Sequence, residues 1–344
     1  MRTIRTHINN MDTRKEYKAG DGRYDSGMEY RRCGRSGVKL PVISLGLWHN
    51  FGSSASLDNC LDIAHCAFDN GITCFDLANN YGPVYGSAEE TFGQIMEKSF
   101  RPYRDELFIT TKAGYDMWPG PYGEWGSRKY LMSSLDQSLK RMKLDYVDLF
   151  YSHRFDPETP LEETLQALVD IVRQGKALYV GISNYPVEVL DFTFRYMKER
   201  DVPCLIYQGR YNMMNQDPKN QGIIDTCLSS GVGFTAFSPL AQGLLTNRYL
   251  NGIPENSRMS RDFFLKKSVL TPEMAARIKA LDSMASDRGQ ALSEMALAWL
   301  IRQEEVTSVI VGASSSAQLS TNLKAVRNTS FTESELQEIS NILK

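Results

Sequence analysis

Short apolar runs recur along the chain, and almost every one is followed by a longer segment whose apolar residues repeat at helical spacing. Residues 43–45, 72–75, 107–111, 147–151, 177–182, 204–207, 233–237 and 308–311 read as strands, because they are rich in apolar and β-branched side chains and bounded by turn formers. Residues 57–68, 87–96, 127–141, 160–173, 187–199, 223–229, 272–287, 293–302 and 318–326 read as helices, the last one closing the chain. Ser87 with Glu90 three residues on has the pattern of a capping box, and Pro160 suits a first turn. Ahead of this alternation, residues 28–32 and 38–40 flank CGRSG and predict a hairpin. Residues 1–27 carry little apolar periodicity and read as a flexible arm.

Strand followed by helix, repeated eight times with right-handed crossovers, predicts a parallel α/β sheet. Eight units in about 300 residues suit a closed (β/α)8 TIM barrel better than an open sheet. Residues 28–344 are thus expected to form one barrel domain, with the β-hairpin in front and extra helices toward its C-terminal end. An open dinucleotide fold needs a glycine fingerprint after its first strand, and GLWHNFG does not supply one. Barrel sites are built at the C-terminal ends of strands. The polar residues that end these runs are Asp76, Lys112, His153, Ser183, Asn184, Gln208, Ser238 and Gly312.

Composition narrows the functional classes. A formal net charge of -2 gives no electrostatic footing for nucleic acid or anionic membrane. No apolar run approaches the length of a membrane span, so no membrane insertion is expected. The 6 cysteines show no CxxC spacing and fall inside apolar patterns, which fits free thiols in the cytoplasm. The 4 histidines form no HxH or HExxH pair, so no metal site is expected and a metal-dependent hydrolase ranks last.

Asp76 and Lys112 end neighbouring strands and can pair across the mouth of a barrel, as a catalytic element or as a structural salt bridge. Tyr81 hangs over them from the following loop, and His153 ends the next strand. A neighbouring ammonium is expected to lower the phenol's pKa from about 10. Such a tyrosine can protonate an oxygen as hydride arrives at a carbonyl carbon, with His153 orienting that oxygen. Hydride requires a cofactor. Ser183, Asn184 and Gln208 could bond a carboxamide, Tyr211 or another aromatic could stack on a nicotinamide, and Arg248 and Arg258 could meet phosphate. VGASSSAQLSTN sets hydroxyls ahead of a helix N-terminus, a seat for an anion.

These residues resemble the aldo-keto reductases over essentially all of residues 30–343. The signals are NYG at 80–82, GSAEETFG at 86–93, TKAGYDMWPGPYG at 111–123, YVDLFYSHR at 146–154, VGISNY at 180–185 and SPLAQGLLT at 238–246. The likeness is greatest to the branch of bacterial L-glyceraldehyde 3-phosphate reductases, and more distant to beta subunits of voltage-gated potassium channels. It implies a catalytic tetrad of Asp76, Tyr81, Lys112 and His153, with Tyr81 the general acid in reduction, and NADP(H) bound extended. Trp48, Ser183, Asn184, Gln208 and Tyr211 then match the nicotinamide end, and Ser238, Leu240, Gln242 and Gly243 the pyrophosphate loop. Arg248, Arg258, Gly312, Ser314, Gln318 and Asn322 match the adenosine end. Gly312 and Gln318 stand where many members have a Lys and an Arg, and Thr321 where many have a Glu. The channel branch has asparagine where this chain has His153, which favours an active reductase over a regulatory subunit.

For substrate, Trp48, Tyr81, Tyr115, Trp118 and His153 could line the mouth, with Trp125 beside them, unless the aromatics only pin the third loop or meet a subunit. Arg154 could hold a substrate phosphate or form a salt bridge on the rim. The resemblance implies small aldehydes, methylglyoxal and triose phosphates among them, and assembly as a homo-oligomer, tetramer or octamer.

Overall fold

Eight strands with every second side chain turned inward close into one parallel barrel in the computed structural model, which describes residues 16–255, 257, 259–260 and 265–344. The strands are β3 (Ile43–Gly46), β4 (Cys74–Asp76), β5 (Phe108–Ala113), β6 (Val147–Ser152), β7 (Ala177–Ser183), β8 (Ile206–Arg210), β9 (Gly233–Phe237) and β10 (Ser308–Val311). They pair in chain order, and β10 closes the ring between β9 and β3. After β3 to β7 come α1 (Leu57–Asp69), α2 (Ser87–Ile95), α3 (Arg128–Met142), α4 (Leu161–Arg173) and α5 (Leu190–Lys198). A short α6 (Asp217–Asn220) and α7 (Ile223–Ser230) follow β8, α8 (Pro272–Asp287) and α9 (Leu292–Ile301) follow β9, and α10 (Ser316–Leu323) and α11 (Glu333–Leu343) follow β10.

Two apolar cores result. The large one lies between strands and helices, where Phe68, Phe75, Phe92 and Phe100 pack ring against ring. The small one fills the barrel's interior with Cys74, Leu149, Tyr151 and Ile206, joined by Cys33 and Leu40 of the hairpin. That hairpin, β1 (Tyr30–Arg32) and β2 (Lys39–Pro41), therefore plugs the barrel at the end where β9 begins. Its turn needs Gly34, at φ 53°, because a Cβ there would lie 2.1 Å from the Gly231 carbonyl oxygen. With the floor sealed by apolar groups, polar chemistry is left to the other end.

Three expectations are corrected. The capping box at Ser87 does not form: Gly86, at φ 89°, takes the N-cap position, and Ser87 Oγ donates back to the Val84 carbonyl at 2.6 Å. A capping box does form at Thr332 and Glu335, opening α11, which lies beyond the helix expected to close the chain. Third, residues 16–27 of the expected arm are fastened to the barrel's flank. Tyr17 stacks on His65 at 3.8 Å and donates to Asp69, and Arg23 meets Glu106 at 2.7 Å. Residues 1–15 lie outside the described residues.

Candidate active site

Asp76 and Lys112 meet because β4 and β5 are hydrogen-bonded neighbours and both residues face inward at their upper ends. Lys112 Nζ lies 2.7 Å from Asp76 Oδ2 and also donates to the Leu77 carbonyl, with none of its side chain exposed. Asp76 Oδ1 accepts from Thr110 Oγ1 at 2.8 Å and Gln208 Nε2 at 3.0 Å. Burial pushes the Lys112 ammonium toward losing its proton, and the Asp76 carboxylate opposes this. Every acceptor of the pair is thus met, which is what lets a charge pair persist inside a barrel.

The ring of Tyr81 lies over this ammonium, 4.6 Å from Nζ to the centroid. Its hydroxyl accepts no hydrogen bond from Lys112, and its pKa is raised well above the ordinary phenol value, first by burial, then by Asp76 and Tyr115. The expected lowering is therefore reversed: the lysine's charge is shared with Asp76, and it meets the ring face rather than the oxygen. Tyr81 holds its proton throughout the neutral range. His153, at the end of β6, lies 6.0 Å from the Tyr81 ring and meets the Tyr115 ring edge to face at 4.7 Å. Burial, then Lys112 and Arg154, hold its pKa well below the usual histidine range, so the imidazole is neutral. Its Nδ1 is buried without a partner.

The other expected residues divide. Asn184, left-handed at φ 54°, donates to the His153 carbonyl at 3.0 Å and to Ser183 Oγ at 3.1 Å, and Gln208 is committed to Asp76. Trp48 lies 6.4 Å from the Tyr81 ring. Tyr211 does not reach the mouth: it is fully buried between Phe234 and Trp299, and its hydroxyl donates to Gln303 at 2.8 Å. Phe237 is better placed. On β9, Phe234 packs outward, so two-residue alternation turns Thr235 and Phe237 inward, with Phe237 partly exposed at the strand's upper end. Sequence alone offered the signal, since Phe237 ends its run immediately before Ser238.

Beyond it, Ser238, Ala241 and Gln242 are all left-handed non-glycine residues, followed by Gly243 at φ 105°, while Leu240 between them keeps a negative φ. Gln242 Oε1 and Asn322 Nδ2 are buried without partners. Gly312 directly follows β10, and Ser314 donates through N and Oγ to Gln318 Oε1 at 2.8 and 2.9 Å. Arg248 lies on a short 3-10 turn, and Arg258 lies outside the described residues.

On the substrate side, Trp118 packs on Tyr130 at 5.1 Å and pins the third loop. Arg154 is also committed there. Its guanidinium lies 3.4 Å from the Trp125 ring centroid and 4.5 Å from that of Tyr115, donates to the Gly114 carbonyl, and pairs with Glu124 at 2.9 Å. Of the two roles considered for it, the rim salt bridge is the one formed.

Among known proteins, the chain is 55% and 54% identical to L-glyceraldehyde 3-phosphate reductases of two Escherichia coli strains, over 91% of this chain and 91% of each of theirs. It is 34% identical to a probable voltage-gated potassium channel subunit beta of Arabidopsis thaliana, over 87% of this chain and 91% of that one. The crystal structure of a thermostable aldo-keto reductase in complex with the inhibitor epalrestat superposes with a TM-score of 0.71 at 28% identity, covering 92% of this chain and all of that one. The family's characteristic sequence pattern matches residues 42–344. With the barrel, the buried ion pair and the tyrosine above it in place, the chain belongs to the aldo/keto reductase family.

Proposed function

We propose that this protein is an NADP(H)-dependent reductase of small aldehydes. The observation that carries the proposal is the buried Asp76–Lys112 pair beneath the ring of Tyr81, with a neutral His153 in the same mouth. The residues present fit the cofactor. Unpartnered buried polar atoms on His153, Gln242 and Asn322 mark an arc from the mouth to α10, and strained left-handed residues lie between them. Phe237 would offer a ring to the nicotinamide, Ser183 and Asn184 would meet its carboxamide, and Ser238 through Gly243 would hold the pyrophosphate. Arg248, Ser314, Gln318 and Asn322 would then hold the adenosine end.

NADPH, when bound, supplies the hydride. The protein's own residues handle the oxygen. His153, in the tautomer protonated on Nε2, donates a hydrogen bond to the aldehyde oxygen and orients it. Tyr81 gives its hydroxyl proton to that oxygen as charge builds there, and its raised pKa guarantees that the proton is present to give. The Lys112 charge beneath the ring stabilises the phenolate left behind, and Asp76 keeps that charge in place. Trp48 and Tyr115 wall the mouth and exclude water.

The names of the relatives at 55% and 54% identity support L-glyceraldehyde 3-phosphate as a substrate, with methylglyoxal in the same size class. A cytoplasmic location is supported by 6 free cysteines, and no helix among the described residues is long and apolar enough to cross a membrane. Assembly as a tetramer or octamer rests on the family resemblance and is tested by light scattering. The activity is tested by NADPH oxidation with DL-glyceraldehyde 3-phosphate, methylglyoxal and an aromatic aldehyde, with NADH as control. Turnover of at least one aldehyde is expected. Tight NADPH binding without turnover of any would instead support a regulatory role like that of a channel subunit.

A further inference from the structure

A phosphorylated aldehyde needs a cation at the mouth, and among the described residues two that lie beside the catalytic groups are both occupied. Lys112 is paired with Asp76 and Arg154 with Glu124. Arg210, the last residue of β8, is different. It is exposed, and among the described residues it makes no ion pair and no side-chain hydrogen bond.

Its place is fixed by register. Gln208 faces inward, since its amide reaches Asp76 at 3.0 Å. Gly209 faces outward, because a Cβ there would meet the rings of Phe234 and Tyr207 at 2.9–3.1 Å. Arg210 therefore returns to the inner face, about 6.7 Å further toward the mouth than Gln208 at the usual strand rise. It pairs with Phe237 across the strands. Above it the chain stays tied, with Tyr211 N donating to the Phe237 carbonyl at 3.3 Å and Asn212 Nδ2 to the Ser238 carbonyl at 3.0 Å. An arginine at this register stands on the inner face at the barrel's mouth with no carboxylate to neutralise it, and its planar fork is suited to bidentate capture of phosphate or carboxylate.

We propose that Arg210 binds the anionic group of the substrate and sets this protein's preference for phosphorylated or carboxylated aldehydes over neutral ones. The inference rests on the reductase reading for the identity of the substrate, but not for the existence of the anion site. The alternative source of the same chemistry is the cofactor's pyrophosphate, whose proposed loop begins one residue after Phe237.

The test compares wild type, Arg210→Gln and Arg210→Lys. With NADPH saturating, the ratio of kcat/KM for DL-glyceraldehyde 3-phosphate to that for methylglyoxal is expected to fall at least tenfold in Arg210→Gln, mainly through KM. Arg210→Lys is expected to keep part of the ratio. A ratio that stays within twofold overturns the proposal. So does a tenfold loss of NADPH affinity by fluorescence titration, which assigns the arginine to the cofactor. Independently of turnover, glycerol 3-phosphate is titrated calorimetrically into the NADP+-loaded proteins. Binding at least tenfold weaker in Arg210→Gln supports the site, and equal binding, or none to wild type, overturns it. Absence of turnover in wild type would count against the reductase reading alone, and the titration would still decide on Arg210.

Discussion

Removing both members of the Asp76–Lys112 pair should cost no more than removing Asp76 alone. In Asp76→Asn the ammonium of Lys112, with none of its side chain exposed, loses the carboxylate 2.7 Å away and keeps only the Leu77 carbonyl. Leaving one buried charge of a broken pair uncompensated costs about 3–5 kcal/mol. Lys112→Met strands the opposite charge, though Thr110 and Gln208 still donate to Asp76 Oδ1. Its cost should fall toward the lower end of that range. In the double variant neither charge remains, an asparagine can still accept from Thr110 and Gln208, and the coupling between the two substitutions should reach about 3 kcal/mol.

The pH dependence has a definite sign. In Asp76→Asn, Lys112 sheds its proton more readily in the native state than in the unfolded chain, whose lysines titrate near 10.4. The unfolded state then binds more protons, so stability rises with pH and the deficit narrows between neutrality and about pH 10. Urea unfolding of the four proteins at pH 7 and 9.5 measures both effects, and all three variants should lose reductase activity. Single substitutions that each cost less than about 1 kcal/mol and add without coupling would refute the account of the pair.

Three other outcomes are open to measurement. Because the native His153 imidazole is held well below the ordinary histidine pKa, its contribution is complete above about pH 6.5 and declines progressively as pH falls below that toward its depressed native pKa; His153→Gln should unfold with a flatter pH dependence between pH 7.5 and 5, and an unchanged slope would count against a buried neutral ring. Arg154→Ala should cost about 1–2 kcal/mol in stability from the lost ring contacts and ion pair, and raise KM for phosphorylated and neutral aldehydes alike, since the loop it pins serves both; a rise for the phosphate alone would return that role to Arg154. Phe237→Ala should weaken NADPH binding by about tenfold, the worth of one aromatic stack, whereas Tyr211→Phe should leave it unchanged; the reverse ranking in a fluorescence titration would reinstate Tyr211.

What the sequence revealed depended on whether one segment or two were needed to read it. The eight strands were legible because a buried parallel strand is a short apolar run, and the polar residue that ends each run marks the barrel's mouth without reference to any other strand. Asp76, Lys112 and His153 were found in this way, and all three converge. Facts that depend on packing between segments were not legible. Tyr211 and Phe237 are both aromatic and near strand ends, and only the outward rings of Tyr207 and Phe234 show which one faces in. The raised pKa of Tyr81 depends on burial outweighing one ammonium, a balance set by the third loop closing over it with Tyr115. The helix Glu333–Leu343 could have been found, since TESE carries the capping box that Ser87 and Glu90 only mimic. There Gly86 pre-empts the cap by its left-handed turn.

The most direct test of the central claim, that Tyr81 delivers the proton while the buried pair beneath it holds the charge, is single-turnover reduction of an aldehyde by the NADPH-loaded enzyme and by Tyr81→Phe. NADPH affinity is titrated in parallel. The account predicts that the rate of the chemical step falls by about 10²–10⁴ in the variant, with NADPH affinity unchanged within threefold. A variant that reduces the aldehyde at the wild-type rate would contradict it.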